Sequence, residues 1–155
     1  MARKKEKKAI EIKNRKASHD YFIGETYEAG IVLRGTEIKS LRQGKGQIQE
    51  SFVRIEKNEA IIYNAHIAEY DFGNINNHNP TSPRKLLLHK KEILKLKSSI
   101  EADHMSVIPL KMYFCRGYVK VLIAVCKGKK LYDKRESLKK DQAMREAKRE
   151  LSYRR

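Results

Sequence analysis

The sequence predicts a mainly β fold: a small OB-like β-barrel of about six strands with two short helices, followed by a basic C-terminal tail. Most apolar residues occur in short segments rich in β-branched and aromatic side chains, which is typical of strands. Gly24 and Gly30 interrupt the first of these segments and indicate the bends that curve a sheet. Closing a curved sheet removes its exposed edges, and 155 residues is the length of one domain.

The first strand and both helices follow from local patterns. Residues 21–33 alternate apolar and polar side chains and predict a strand. Residues 35–42 predict a short helix, with Thr36 as a suitable N-cap and Gly44 as a stop signal. Residues 90–101 place apolar side chains at helical spacing among lysines and predict the second helix.

The remaining strands come as two hairpins and a short apolar run. Lys57-Asn58 and Arg116-Gly117 are suitable hairpin turns. Lys120 alternates with apolar residues and is expected to face away from the densest part of the core. Residues 68–84, rich in asparagine and containing two prolines, predict an irregular connection. The predicted strands are 52–55, 60–63, 85–88, 105–114 and 118–125.

Positive charge is concentrated at the two ends of the chain. Residues 1–16 carry eight Lys and Arg against two acids, and residues 127–155 carry twelve against five. The sequence therefore predicts a flexible basic arm (1–16), an RNA-binding barrel (17–127) and a basic tail (128–155). Cationic arms on a nearly neutral body favour a polyanionic partner, RNA or DNA, because each neutralised phosphate releases a counterion. An anionic membrane is disfavoured, because neither arm has a bulky apolar face.

The tail sequence favours helix without favouring packing on the barrel. It lacks proline, and Glu136/Lys140 and Asp141/Arg145 are acid-first pairs four residues apart. Its apolar stripe is narrow, and an isolated helix of this length is marginal in water. We therefore expect a tail that is disordered when free and helical when laid against phosphates. A solvated basic tail with no specific role remains the alternative.

Several function classes find little support in the sequence. Glu37-x-Lys39 resembles half of a nuclease metal site, but the charged face of a short helix explains the pair better. The five histidines lack the spacing of a zinc site, and no nucleophile motif or phosphate-binding glycine loop is present. The basic start is not followed by the apolar stretch of a secretory signal, and two cysteines give no disulfide framework. A cytoplasmic, non-enzymatic, cofactor-free nucleic-acid-binding protein is therefore expected.

Three individual residues admit two interpretations each. Leu87 is by default a core residue, although its basic neighbours suggest surface contact. Glu28 is either solvated or an acceptor for the Watson–Crick edge of an exposed guanine. His19 is either a hydrogen-bonding residue at a strand end or a contact to phosphate and sugar.

Seven ordered motifs make the chain closely resemble one family, the SsrA-binding protein or small protein B family. The resemblance runs from about residue 14 to residue 149. The motifs are residues 14–17 (NRKA), 19–23 (HDYFI), 27–31 (YEAGI), 35–42 (GTEIKSLR), 84–88 (RKLLL), 127–130 (KGKK) and 133–135 (DKR).

The resemblance implies a monomeric bacterial adaptor of trans-translation. In that family an OB-like barrel binds the tRNA-like domain of transfer-messenger RNA (tmRNA) and accompanies charged tmRNA, with elongation factor Tu, to stalled ribosomes. There the nascent peptide receives a degradation tag. The tail becomes helical in the empty mRNA channel beside the decoding centre of the small subunit and its rRNA, and so senses that the channel is vacant.

The resemblance also implies two sets of site residues. Glu150 and Leu151 stand where some relatives carry two apolar residues, so the chain departs from the family pattern at the last tail turn. The RNA-binding residues that the resemblance implies are His19, Glu28, Leu87 and Lys120. Charge and motif position add Asn14, Arg15, Lys39, Arg42 and Lys85 to this set. The implied ribosome-binding tail residues are Lys129, Lys130, Asp133, Lys134, Arg135, Lys139 and Lys140. A generic OB-type RNA-binding or ribosomal protein and a small metal-dependent nuclease are the alternative functions.

Overall fold

The computed structural model describes residues 10–73, 75 and 77–153. Nine strands and four helices occur within these residues. The strands are β1 (Glu11–Lys13), β2 (Tyr21–Ile31), β3 (Gly46–Gln47), β4 (Phe52–Glu56), β5 (Glu59–Tyr63), β6 (His66–Ile67), β7 (Arg84–Leu87), β8 (Ser106–Cys115) and β9 (Tyr118–Gly128). The helices are α1 (Ala17–Asp20), α2 (Gly35–Arg42), α3 (Lys90–Ala102) and α4 (Leu131–Tyr153).

Six strands form a closed ring in the order β8-β4-β5-β7-β2-β9, and β9 pairs back onto β8. Strand β1 adds to the outside of this ring along β8, and β3 and β6 form a separate two-stranded sheet. All the pairings among the described strands are antiparallel, and short hairpin turns connect β4 to β5 and β8 to β9. The mainly β class with a closed sheet is therefore confirmed. The structure has four helices, of which α4 is C-terminal, where the sequence predicted two short helices before the tail.

Both predicted hairpin turns are confirmed, and backbone geometry explains their residues. Lys57 and Asn58 both have positive φ, 48° and 60°, as do Arg116 and Gly117 at 50° and 82°. Two consecutive left-handed residues match the twist of antiparallel strands. Gly24 lies at a register shift in the pairing of β2 with β9, as its bend signal predicts. A Cβ there would lie 2.8 Å from the Val125 carbonyl oxygen, so glycine allows the strands to approach.

The core lies inside the ring, with a smaller cluster outside it. Alternate residues of β9, among them Val121 and Ile123, point inward and are fully buried. Ala124 and Cys126 face the other way and pack with Ala17 of α1. Helix α1 therefore covers the outer face of one end of β9, while the outer face toward Tyr118 stays open.

The N-terminal arm is a correction to the sequence analysis. Residues 1–9 lie outside the described residues, but β1 pairs with β8 from Glu11↔Tyr113 to Lys13↔Lys111. The Asn14 backbone N–H then donates to the Leu110 carbonyl at 2.7 Å. Within the arm predicted for 1–16, Glu11–Lys13 is thus a strand of the sheet. Three residues are too short to show a period, and long-range pairing makes this strand.

The N-terminus of α2 is a second correction. Arg34 occupies the N-cap position that was assigned to Thr36, and its backbone N–H donates to Glu37 Oε2 at 3.0 Å. Thr36 instead shares a hydrogen bond of 2.9 Å with His78 Nδ1. A glutamate at the third helical position can accept from the backbone N–H of the N-cap residue, as Glu37 does here, and this bond needs no hydroxyl at the N-cap.

The C-terminal tail, predicted to be disordered when free and helical when bound, is helical in the structure, where α4 covers Leu131–Tyr153. Contacts with α1 hold its first turns, and nearly all its later side chains are exposed. Anchoring the base supplies the costly nucleation step, and the acid-first pairs support propagation.

Candidate RNA-binding surface

The closed sheet brings three predicted RNA-binding residues to one outer face. Glu28 of β2, Leu87 of β7 and Lys120 of β9 each follow or precede a fully buried core residue, so all three point outward. Gly30 is the Cα partner of both Leu87 and Lys120. We call Glu28, Leu87 and Lys120, together with Tyr113, the strand-face cluster.

Gly30 creates space at the centre of the strand-face cluster. A Cβ at this position would lie 3.3 Å from Leu87 Cβ and 3.5 Å from its Cδ1. The Leu87 side chain therefore lies over Gly30, and it is 53% exposed although it is a large hydrophobic residue. This decides between the two interpretations of Leu87, because the side chain is at the surface and not in the core.

Tyr113 belongs to the same face and was missed by the sequence analysis. It is the β8 partner of Lys120, and its hydroxyl donates to Glu28 Oε2 at 2.6 Å. Burial, followed by the bond to Glu28, raises the pKa of Tyr113 to about 12, so the hydroxyl remains a proton donor at neutral pH. The alternation of β8 could have identified Tyr113, because Met112 and Phe114 on either side of it face the core.

Cations border the strand-face cluster on both sides. Lys85 shares the outer face of β7 with Leu87 and pairs with Glu59 at 3.1 Å. Lys111 pairs with Glu11 at 3.1 Å, and its Nζ lies 5.2 Å from the centre of the Tyr113 ring. Lys120 forms no side-chain hydrogen bond or ion pair with the rest of the described chain. It is therefore the cation of this face that is available to a phosphate.

Lys39 and Arg42 lie elsewhere, on the exposed side of α2. Helix α2 buries Leu41 and Ser40 against the body, and the Nζ of Lys39 lies 5.5 Å from the centre of the Tyr70 ring. These two cations are accessible but are not part of the outer sheet face. The structure thus divides the predicted RNA-binding residues among separate regions.

The predicted role of Asn14 conflicts with its burial. The residue is 8% exposed, and its Nδ2 donates to the carbonyls of Pro109 at 2.9 Å and Ile48 at 3.4 Å. These bonds connect the end of β1 to two neighbouring segments. The Asn14 side chain therefore has a structural role and is not available to contact RNA. Arg15, the next residue, is exposed. The motif position of Asn14 could not reveal this, because its partners are distant in sequence.

His19 lies at the base of the tail. Its Nδ1 is 2.9 Å from Asp20 Oδ1, and the same carboxylate oxygen pairs with Lys134 Nζ at 3.3 Å. The hydrogen bond from His19, and then that from Lys134, lowers the pKa of Asp20 below its usual value of 3.8. Asp20 therefore joins a predicted RNA-binding residue to the tail helix.

Lys129 strengthens the same attachment. Its backbone N–H donates to the Asp20 carbonyl at 2.9 Å, and its Nζ donates to the Ser18 carbonyl at 3.0 Å and to Ser137 Oγ at 2.8 Å. The Nζ also lies 5.0 Å from the centre of the Phe22 ring. Lys129 was predicted to bind the ribosome, but here its charge is used within the chain.

The other predicted tail residues remain accessible. The Asp133 carboxylate accepts from the Lys130 backbone N–H at 3.3 Å, as expected at a helix N-terminus. Accessible basic side chains continue along the helix beyond the attachment. The exposed members of the predicted set are Lys130, Arg135, Lys139 and Lys140.

Glu37 has a different environment from the one predicted. Instead of lying on a charged helix face, it is buried and accepts from Arg84 Nε at 3.1 Å, with side-chain exposures of 4% and 2%. Arg84 also donates to the carbonyls of Ala65 at 2.7 Å and Pro80 at 3.0 Å. The carboxylate is therefore committed to an internal ion pair and is not open to a metal ion. The helical pattern could not reveal this, because Arg84 lies 47 residues away in sequence.

None of the helices in the described ranges is long and apolar enough to cross a membrane.

Comparisons with known proteins agree on one family. The family model described as SmpB protein matches residues 11–153. The SsrA-binding protein of Shouchella clausii is 57% identical over 91% of this chain and 90% of its own length. That of Caldanaerobacter subterraneus subsp. tengcongensis is also 57% identical, over 97% of this chain and 93% of its own length.

A solved structure extends the agreement to three dimensions. It is described as "tmRNA-SmpB: a journey to the center of the bacterial ribosome" and matches with a TM-score of 0.69. The two sequences are 47% identical, and the match covers 84% of this chain and 95% of the chain in the solved structure. The ordered motifs, the closed sheet and these matches lead to one conclusion: the chain belongs to the SmpB protein family.

Proposed function

We propose that this protein binds the tRNA-like domain of tmRNA and delivers it to stalled ribosomes for trans-translation, without catalysis of its own. The strand-face cluster carries the proposal, because residues distant in sequence form one exposed surface suited to RNA. The similar proteins carry the name SsrA-binding protein, and the similar structure is a tmRNA–SmpB complex. Elongation factor Tu is then an indirect partner through the charged RNA, and the site of action is the bacterial cytoplasm.

The chemistry of the strand-face cluster fits a structured RNA with exposed bases. Lys120 supplies a free ammonium for a phosphate, which positions the RNA. The Glu28 carboxylate accepts hydrogen bonds from the Watson–Crick edge of an unstacked base, and guanine presents two N–H donors there. Leu87 offers an apolar contact for a ribose or base face. The combination favours an unpaired region of a folded RNA over a regular duplex, whose base edges are paired.

The tail is proposed as the part that senses the empty mRNA channel. Helix α4 has 23 residues and is therefore about 34 Å long, with exposed cations along its length. A narrow cationic rod suits a channel walled by rRNA phosphates. Lys134 is paired with Asp20 in the structure, so this lysine becomes available to the ribosome when the pair opens.

Removal of the tail separates the two activities. Deleting residues 131–155 leaves the ring and the strand-face cluster intact, so affinity for a tRNA-like domain transcript should stay within about twofold at fixed salt. Peptide tagging on stalled ribosomes should be abolished in a reconstituted translation system. A generic RNA-binding protein would instead lose affinity together with its cationic tail.

Point substitutions test the two surfaces separately. Lys120→Ala and Glu28→Ala should each weaken RNA binding about fivefold or more while thermal unfolding stays unchanged. The triple substitution of Asp133, Lys134 and Arg135 by alanine should spare RNA binding but prevent tagging. Unchanged RNA affinity of both strand-face variants in a salt-controlled titration would contradict the assignment.

A metal-dependent nuclease, the enzyme alternative, is disfavoured by the burial of Glu37. Its carboxylate oxygens are taken by Arg84 and by the Arg34 backbone N–H. The direct test is incubation of the RNA with the protein and Mg²⁺, where we expect no cleavage above the protein-free control. RNA cleavage by the wild-type protein that disappears in Glu37→Gln would support the nuclease alternative.

A further inference from the structure

The outer sheet face holds a carboxylate and an ammonium close together without pairing them. Glu28 is opposite Leu122 in β9, and Lys120 is two residues from Leu122 on the same face. Diagonal cross-strand neighbours of this kind lie about 7 to 8 Å apart, within reach of long side chains. A Glu and a Lys so placed can reach each other to form an ion pair, yet neither has the other as a partner in the structure.

The position of Tyr113 explains the separation. Strand β9 lies between β8, which carries Tyr113, and β2, which carries Glu28. The Tyr113 side chain therefore extends across β9 to reach Glu28. Its hydroxyl bonds to Glu28 Oε2 at 2.6 Å, a short bond to a charged acceptor. One carboxylate oxygen is thus fixed, and Oε1 has no hydrogen-bond partner among the described residues of this exposed side chain.

Tyr113 is itself held in place. The Nζ of Lys111 lies 5.2 Å from the centre of its ring, and Lys111 pairs with Glu11 of β1 at 3.1 Å. Glu11 is also the β1 partner of Tyr113 in the sheet. Neighbours on β1 and β8 therefore hold the tyrosine in place independently of its bond to Glu28.

We infer that Tyr113 is a positioning residue for RNA recognition: its hydroxyl holds the Glu28 carboxylate away from Lys120, so that acceptor and cation both stay available to RNA. The inference rests on the proposed function of the strand-face cluster. Without the hydroxyl, Glu28 rotates to Lys120 and the two charges neutralise each other. The RNA then loses a phosphate contact and a base contact together.

The test uses the full-length protein and a transcript of the tRNA-like domain of tmRNA, with affinity measured over a range of salt concentrations. Tyr113→Phe keeps the ring and removes only the hydroxyl. It should weaken binding at least as much as Lys120→Ala or Glu28→Ala does alone, about fivefold or more, and reduce the slope of log affinity against log salt by about one, as Lys120→Ala does. A merely structural role would not change this slope, because the number of phosphate contacts would be unaltered.

A second substitution tests the pathway through Glu28. In Tyr113→Phe combined with Glu28→Ala there is no carboxylate to pair with Lys120, so the salt slope should return to the wild-type value. Affinity should equal that of Glu28→Ala alone, because the hydroxyl acts only through the carboxylate. Additive losses, or a slope that stays low in the double variant, would overturn the inference.

The chain offers a matched control. The Tyr63 hydroxyl donates to Glu56 Oε1 at 2.7 Å on the β4–β5 hairpin, away from the strand-face cluster. Tyr63→Phe removes a bond of the same kind and should change neither affinity nor slope. If wild-type protein fails to bind the RNA, the proposed function itself fails. If wild-type protein binds and Tyr113→Phe is indistinguishable from it, only the role of Tyr113 is refuted.

Discussion

Replacing Glu37 by glutamine tests how much the internal ion pair contributes to folding. The change keeps the size of the side chain and one carbonyl acceptor, but it leaves the buried Arg84 guanidinium without a counter-charge. Arg84 has three other acceptors, the carbonyls of Ala65, Asn79 and Pro80, and all are neutral. With side-chain exposures of 4% and 2%, solvent cannot compensate for the missing charge.

The expected loss follows from this burial. Removing one partner of a buried pair costs about 3 to 5 kcal/mol, and the retained amide oxygen places Glu37→Gln near the lower limit. For a chain of this size, with a urea dependence of about 2 kcal/mol per molar, the midpoint should fall by roughly 1.5 M. The measurement is urea unfolding followed by far-ultraviolet circular dichroism at neutral pH.

Glu59→Gln is the matched control. Glu59 also pairs with a cation at 3.1 Å, but both side chains are 49% exposed. Exposed pairs contribute about 0 to 1 kcal/mol, so the midpoint should hardly move. Equal shifts for the two variants would refute the reasoning, because burial would then make no difference.

Two further predictions concern the sheet and the tail. Gly24→Ala should lower the free energy of unfolding by about 1 to 3 kcal/mol, because its Cβ would lie 2.8 Å from a β9 carbonyl oxygen. Gly35→Ala is the control and should leave stability unchanged, because a Cβ there meets nothing within 4 Å. Thermal unfolding of the two variants distinguishes these outcomes. Asp20→Asn should speed amide exchange in the first turns of α4, because Asp20 loses its ionic contact to Lys134 and the charge that strengthens its hydrogen bond with His19. The lowered pKa of Asp20 means that its stabilisation is present at neutral pH and is lost as pH falls below about 3.8, so acid should loosen the wild-type tail base but not that of Asp20→Asn.

Local signals were sufficient for the elements formed by local forces. The hairpins around Lys57-Asn58 and Arg116-Gly117 combine alternation with a turn, and both elements were predicted with nearly correct bounds. Helix α3 follows in the same way from its apolar spacing. Strand β1 was missed because three residues carry no measurable period, and their partner strand lies about a hundred residues later.

The candidate site divides along the same line. Outward-facing positions on strands, such as Lys120, follow from alternation alone, whereas the burial of Asn14 and Glu37 depends on partners that the sequence does not place. The bond from Tyr113 to Glu28 spans 85 residues of sequence. The attachment of the first turns of α4 likewise depends on contacts with α1, and helix propensity cannot predict such contacts.

The way in which the ring closes has a consequence for biosynthesis. Strands β1 and β2 leave the ribosome early, but their partners β8 and β9 are synthesised only near the end of the chain. Until that hairpin emerges, the unpaired edges of β2 and β4 are exposed and can pair with other chains. Pairings of such high contact order also slow folding. The nascent chain therefore needs protection until its last hairpin is made, and truncated products that stop before β8 should be prone to aggregate.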